Sequence, residues 1–148
     1  MTDTLQPSGK ILSVQLCPGR KKPMLEVQQA EAVTNFGLKG DRHALADSSR
    51  QILLIEKEIL DTLRLKPGEV KENITTTGVE LMKLTYGDKL RIGNDVMLEM
   101  TSACSPCNRM DEIRQGLLQE VAGRRGMLAR VVHGGIVFQG DSVSVIKR

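Results

Sequence analysis

In residues 9–17 apolar Leu12, Val14 and Leu16 alternate with polar Ser13 and Gln15, the period of a half-buried strand. The run Cys-Pro-Gly-Arg-Lys-Lys-Pro at 17–23 is a turn, because two prolines and a glycine interrupt regular pairing. Leu25 and Val27 mark a further strand within 24–33. Residues 35–50 show no period and carry two glycines, which predicts a long surface loop; such loops are often functional. QILLI at 51–55 predicts a buried strand. Ile55, Ile59, Leu60 and Leu63 then share one helical face, ended by Pro67-Gly68. Residues 69–86 predict short strands and a threonine-rich turn, and KLRI between Gly87-Asp88 and Gly93-Asn94 predicts another strand. Val96, Leu98 and Met100 alternate with Met97 and Glu99 in the next. After TSACSPCNRM, Met110, Ile113, Leu117 and Val121 recur at helical spacing, and Gly123 and Gly126 end that helix. Residues 127–133 and 143–146 are the last strands, joined through Gly134-Gly135 and Gly140-Asp141. Strands dominate, without a regular βαβ alternation. The expected fold is mainly β: a partly closed β-barrel of about seven or eight strands with two or three peripheral helices.

The length of 148 residues corresponds to one domain over 1–148, with a core at about 8–147. Hydrophobic residues are 40% and charged residues 26%, the balance of an ordinary soluble globule, and 14 glycines fit a turn-rich β protein. No apolar run reaches the ~20 residues of a membrane helix. The start, MTDTLQPSGK, has no apolar h-region, so no secretory signal is expected. Three cysteines form no even disulfide framework, which favours a reducing cytoplasm. The net charge of +3 is too mild to imply nucleic acid, and 2% aromatics leave almost no stacking platforms for single strands. Neither a nucleic-acid nor a membrane partner is expected.

The strongest chemical signal is Cys104-Ser105-Pro106-Cys107-Asn108, at a predicted strand–helix junction. Ser105 as cap and Pro106 at the first helical position would put Cys107 in the first turn, where free N–H groups and the helix dipole favour a thiolate. Arg109 would help. A thiolate attacks sulfur or binds metal, so Cys107 is a candidate nucleophile, sulfur carrier or metal ligand. The plain alternative, strongest for Cys17 and Cys104, is a small packing cysteine. A zinc site commonly takes two Cys-x-x-Cys pairs; one is present, with His43, His133 and Cys17 scattered. A thioredoxin-type pair needs a βαβ context that these strands do not supply.

Three further segments carry polar chemistry. In Gly37-Leu38-Lys39-Gly40-Asp41-Arg42-His43 the glycines allow close backbone approach, and Lys39, Arg42 and His43 offer donors to an anion. In Glu72-Asn73-Ile74-Thr75-Thr76-Thr77-Gly78, Asn73 and Thr75 suit the edge of a polar heterocycle, or else satisfy their own backbone. In Gly123-Arg124-Arg125-Gly126 the arginines complement a helix end or clamp an anion.

Taken in order, residues 37–44, 50–55, 72–78, 84–93, 98–110 and 116–141 resemble the MOSC domain, the C-terminal module of molybdenum-cofactor sulfurases. The resemblance implies a mainly β, barrel-like fold. It implies that Cys107 ligates molybdenum or carries persulfide sulfur. It also implies a molybdenum cofactor, molybdopterin, whose phosphate and pterin would be held by Lys39, Arg42, His43, Asn73, Thr75, Arg109 and Arg125. A cysteine desulfurase or cofactor-synthesis enzyme is the implied partner. Pyridoxal phosphate, linked to the family through a fused desulfurase domain, is not expected in this chain. In the region after GDR, following His43, the chain reads ALADSSRQ, where many enzymatic relatives carry a His-Gly-Gly-Pro-Asp-like stretch. Two other functions stay open: a molybdopterin-dependent reductase of N-hydroxylated compounds with an external electron donor, and a non-catalytic docking module for a cofactor-synthesis enzyme.

Overall fold

Strands β1 (Pro7–Leu16), β2 (Leu25–Val27), β3 (Gln29–Val33), β4 (Gly37–Leu38) and β5 (Ile52–Glu56) lead into helix α1 (Lys57–Thr62). Strands β6 (Ile74–Thr77), β7 (Lys89–Ile92) and β8 (Val96–Ala103) precede helices α2 (Arg109–Ile113) and α3 (Leu117–Glu120). Strands β9 (Met127–His133), β10 (Gly135–Phe138) and β11 (Ser142–Ile146) complete the chain. The structure, a computed structural model, describes residues 7–147. No helix among these residues is long and apolar enough to cross a membrane.

Seven strands run β11-β7-β8-β9-β5-β6-β1 and close through a β1–β11 pairing, so the barrel is complete rather than partly closed; β2 extends β1 outside it. Closure leaves these strands no open edge. The β5–β6 pair is parallel, which forces a crossover through α1 and residues 63–73. A smaller sheet, β10-β3-β4, contributes Ala30, Ala32, Leu38 and Val137 to the barrel core.

Strand β5 explains why its sequence is a continuous apolar run. Ile52 and Leu54 belong to the barrel core, Ile55 packs with the helices, and Leu53 packs with Cys104 and Leu128. A strand covered on both faces has no polar side to alternate with. The helices bury Leu60, Leu63, Met110, Leu117 and Val121 against Ile55 in a second cluster.

Several expectations need correction. The helix expected from Met110 to Val121 breaks into α2 and α3. Arg114 is extended, Gly116 takes φ +87°, and the Asp111 carboxylate accepts the Leu118 N–H at 2.9 Å. The apolar spacing survives the break because both helices face the same cluster. The threonine-rich turn is strand β6, with Thr75 and Thr76 fully buried; β-branched residues suit a pleated surface. The loop at 35–50 contains β4, and the turn after His133 contains β10. In β1, Ser13 and Gln15 are buried while Leu12 is exposed, because a register shift interrupts the pairing between Ile11 and Ser13. Finally, α2 starts at Arg109 with Asn108 at its N-cap and no side-chain cap. Cys107 therefore lies ahead of a five-residue helix, not in its first turn, and Ser105 caps nothing.

Candidate functional site

A cleft of about 370 Å³ opens beside the outer face of β5. Segments distant in sequence line it: the end of β1 and the following turn, the Gly-Asp-Arg loop, residues 71–73, residues 104–109, and Arg125 with Leu128. Leu53, Cys104 and Leu128 form its apolar floor. Lys21, Arg42, Arg50, Lys71, Arg109 and Arg125 line it, with no carboxylate among the lining residues. The chain as a whole carries a net charge of only +3, but these six cations share a cleft whose lining offers no carboxylate to balance them. A concave site of one sign focuses its field and raises the local concentration of anions.

One buried network holds the walls in place. The Asp41 carboxylate accepts the Cys17 N–H at 2.7 Å and the Asn73 side-chain amide at 3.0 Å through Oδ1, and the His43 N–H at 3.1 Å through Oδ2. Asn73 accepts the Leu53 N–H at its Oδ1 and donates also to the Gln15 carbonyl. Gln15 in turn donates to the Glu72 carbonyl and to Thr75 Oγ1. Asp41 thus joins the Gly-Asp-Arg loop to β1 and to the segment before β6, and it aims Arg42 and His43 at the cleft. Asn73 lines the cleft with its amide fully used by the protein.

Arg125 is the unusual cation. It is 5% exposed, its Nη2 donates to the Val70 carbonyl at 2.6 Å, and its Nε and Nη1 have no partner. Buried guanidinium N–H groups without acceptors are costly, and an anion in the cleft is the group that would satisfy them. Glu72 lies behind this arginine, fully buried. Its Oε2 accepts the Gly68 N–H and the Thr75 hydroxyl, while Oε1 has no partner. Burial pushes the Glu72 carboxyl up; its hydrogen bonds and the Arg125 charge pull the other way and do not overcome it. The folded protein therefore holds the Glu72 proton more tightly than the unfolded chain. Its contribution to stability is greatest at low pH and falls as pH rises from the ordinary carboxylate range through the raised pKa. The Glu72→Gln variant should lack that loss. Urea midpoints at pH 5 and 7 should show a smaller drop for Glu72→Gln than for wild type; equal drops would refute the assignment.

All three cysteines are free, and all three line the cleft. Cys107 is exposed, Cys104 is buried, and Cys17 is buried with its Sγ 3.4 Å from the Gly19 carbonyl. Among the described residues no group of three or more His, Cys, Asp or Glu is placed to hold a metal ion. Any metal bound at Cys107 must bring its own further ligands.

The structure brings Cys107, Arg42, His43, Asn73, Arg109 and Arg125 to this one cleft. Two of the candidate residues stand apart from its lining. Lys39 is exposed, with its N–H bonded to the Glu31 carbonyl, and Thr75 is buried behind the cleft between Gln15 and Glu72. Lys21, Arg50 and Lys71 line the cleft without having been singled out. The basic run at 20–22 and the lysine preceding Glu72-Asn73 were the available signals. Lys21 and Lys71 both take left-handed backbone, φ +60° and +67°. Such conformations cost non-glycine residues about 1–2 kcal/mol.

Comparison with known proteins places this geometry. The chain resembles the YuaD protein of Bacillus subtilis at TM-score 0.82 and 17% identity, over 95% of this chain and 96% of that one. It resembles YiiM of Geobacillus stearothermophilus at TM-score 0.76 and 16% identity, over 95% and 76% of the two chains. At these identities the likeness is one of fold. A reductase of Gibberella moniliformis is 29% identical over 85 residues, which are 55% of this chain but 15% of that protein's length. The MOSC domain model matches residues 34–144, from just before the Gly-Asp-Arg loop into the final strand, so the chain belongs to the MOSC domain family.

Proposed function

We propose that this chain binds a phosphate-bearing molybdenum cofactor of the molybdopterin type in the cleft, with Cys107 as the thiolate that meets its metal or carries its sulfur. The carrying observation is that exposed Cys107 shares one basic cleft with Arg125, whose buried Nε and Nη1 lack acceptors. The donor set fits such a group. Soft thiolate suits a metal that arrives with its own sulfur ligands, and guanidinium groups suit phosphate. Arg42, His43, Arg109 and Arg125 would hold the anionic end. Asn73 positions them through Asp41 and Leu53 rather than through a free amide. Once bound, the cofactor would supply the redox chemistry of molybdenum and its sulfur. The protein's part is to orient it, to neutralise its charge and to present one thiolate.

A second reading, a molybdopterin-dependent reductase of N-hydroxylated compounds fed by an external donor, draws on the likeness to the Gibberella reductase. It needs the same cleft and differs in requiring turnover. A docking module for a cofactor-synthesis enzyme would instead leave the cysteines inert, and a cysteine desulfurase is the partner class that would load Cys107.

Mass spectrometry tests the thiolate directly. Protein alkylated at lysis of a host that makes the cofactor, so that a carried sulfur is trapped, should include a Cys107 peptide heavier by one sulfur atom, about 32 Da, that Cys107→Ser lacks. The same increment in both proteins would remove Cys107 from the account.

A further inference from the structure

We infer that Cys104 is the resolving thiol of this site: it displaces the sulfur carried on Cys107 as sulfide and closes a Cys104–Cys107 disulfide. The inference rests on the sulfur-carrying role proposed for Cys107. It adds a second reacting group and an outcome, release of free sulfide rather than transfer of a sulfane atom.

Cys104 and Cys107 are both free, line the same cleft and are separated by two residues, the separation of reversible Cys-x-x-Cys pairs. Their environments differ as an attacking pair requires. Cys107 is exposed, where a sulfur donor reaches it, and Cys104 is 8% exposed on the floor between Leu53 and Leu128. The Cys104 sulfur has little holding it: its Sγ lies 3.7 Å from the carbonyl of its own neighbour, Ser105. Cys17 is held more firmly, by a 3.4 Å contact to Gly19 and through its N–H to Asp41.

The backbone is pinned at both ends of the pair and not between them. The Cys104 N–H donates to the Gly126 carbonyl at 2.8 Å, and the Cys107 carbonyl accepts the Met110 N–H at 2.9 Å. Gly126 is itself fixed: at φ +112° a Cβ would meet the Leu54 carbonyl oxygen at 2.5 Å. Ser105 and Pro106 have no regular structure, so this short run can adjust to disulfide geometry.

The step balances. The Cys104 sulfur forms a bond to Cys107 Sγ while the Cys107 S–S bond to the outer sulfur breaks. The outer sulfur leaves with the bond's electron pair and takes the Cys104 proton as HS⁻. The two cysteine sulfurs are oxidised to a disulfide, and the carried sulfur is reduced to sulfide. The cations lining the cleft favour the departing anion. A dithiol reductant returns the pair to thiols by exchange.

The full-length protein, reduced and then treated with inorganic tetrasulfide, tests this. Wild type should release close to one sulfide per chain, lose about 2 Da relative to the dithiol, and yield a Cys104–Cys107 linked peptide. Cys104→Ala should instead keep the about 32 Da increment on Cys107 and release sulfide at least about tenfold more slowly. The peptide map uses unmodified protein, so it decides the matter even if Cys104→Ala folds poorly. Equal release by Cys104→Ala, or a disulfide mapped to Cys17 and Cys107, overturns the inference while sulfur loading of Cys107 stands. Absence of the increment from Cys104→Ala together with absence of sulfide release from wild type overturns the sulfur-carrying reading as well.

Discussion

Asp41→Ala should destabilise the protein by about 3–5 kcal/mol and abolish anion binding in the cleft. The carboxylate accepts three hydrogen bonds, from the Cys17 N–H, the Asn73 amide and the His43 N–H. Alanine leaves the first two donors buried without acceptors, at about 1–3 kcal/mol each. The His43 bond is partly exposed and contributes less. The loss reaches the site because the same carboxylate ties the loop bearing Arg42 and His43 to β1 and to Asn73. Asp41→Asn keeps the shape and one acceptor, so it should cost clearly less. Urea unfolding followed by circular dichroism measures both. An Asp41→Ala loss under about 1 kcal/mol would show that water replaces the carboxylate and that the network does not hold the cleft.

Arg125→Met should remove the protein's stabilisation by phosphate. A ligand bound to the folded state at a hundred times its Kd adds about 2.7 kcal/mol. For a chain of this size that raises Tm by roughly 5–10 °C. Wild type should therefore melt several degrees higher in saturating phosphate than in chloride of matched ionic strength. Arg125 supplies two buried N–H groups that nothing in the protein accepts, and methionine supplies none. The variant's Tm should not respond to phosphate, although the exposed Arg42 and Arg109 remain. Methionine fills most of the volume, which limits the cavity cost. An undiminished phosphate shift in Arg125→Met would place the anion elsewhere on the surface.

Much of the barrel was legible because its strands are short and bounded by turn residues. KLRI and the alternation through Val96, Leu98 and Met100 became β7 and β8 as read. β6 was misread because ITTT between Asn73 and Gly78 has the composition of a turn. Only the buried network of Gln15, Glu72 and Thr75 makes it an interior strand. The α2–α3 break was hidden because the apolar spacing continues across Gly116, and one glycine's φ of +87° is not a periodic signal. At the site, Cys107, Arg42, His43 and Arg109 stood out by residue type. The burial of Arg125 did not, because burial depends on packing of the crossover against β5. Nor did Asp41 as the anchor, since two of its three donors, Cys17 and Asn73, come from segments far from it in sequence.

Under the proposed function, one ligand is held from two sides, by the thiolate of Cys107 and the guanidinium of Arg125. The direct measurement is the molybdenum content per chain of wild type, Cys107→Ser and Arg125→Met, each purified from a host that makes the cofactor. Molybdenum should approach one per chain in wild type and be at least about tenfold lower in each variant, a loss of about 1.4 kcal/mol or more in affinity. Full molybdenum in Cys107→Ser, or none in wild type from a cofactor-replete host, would contradict this two-sided hold.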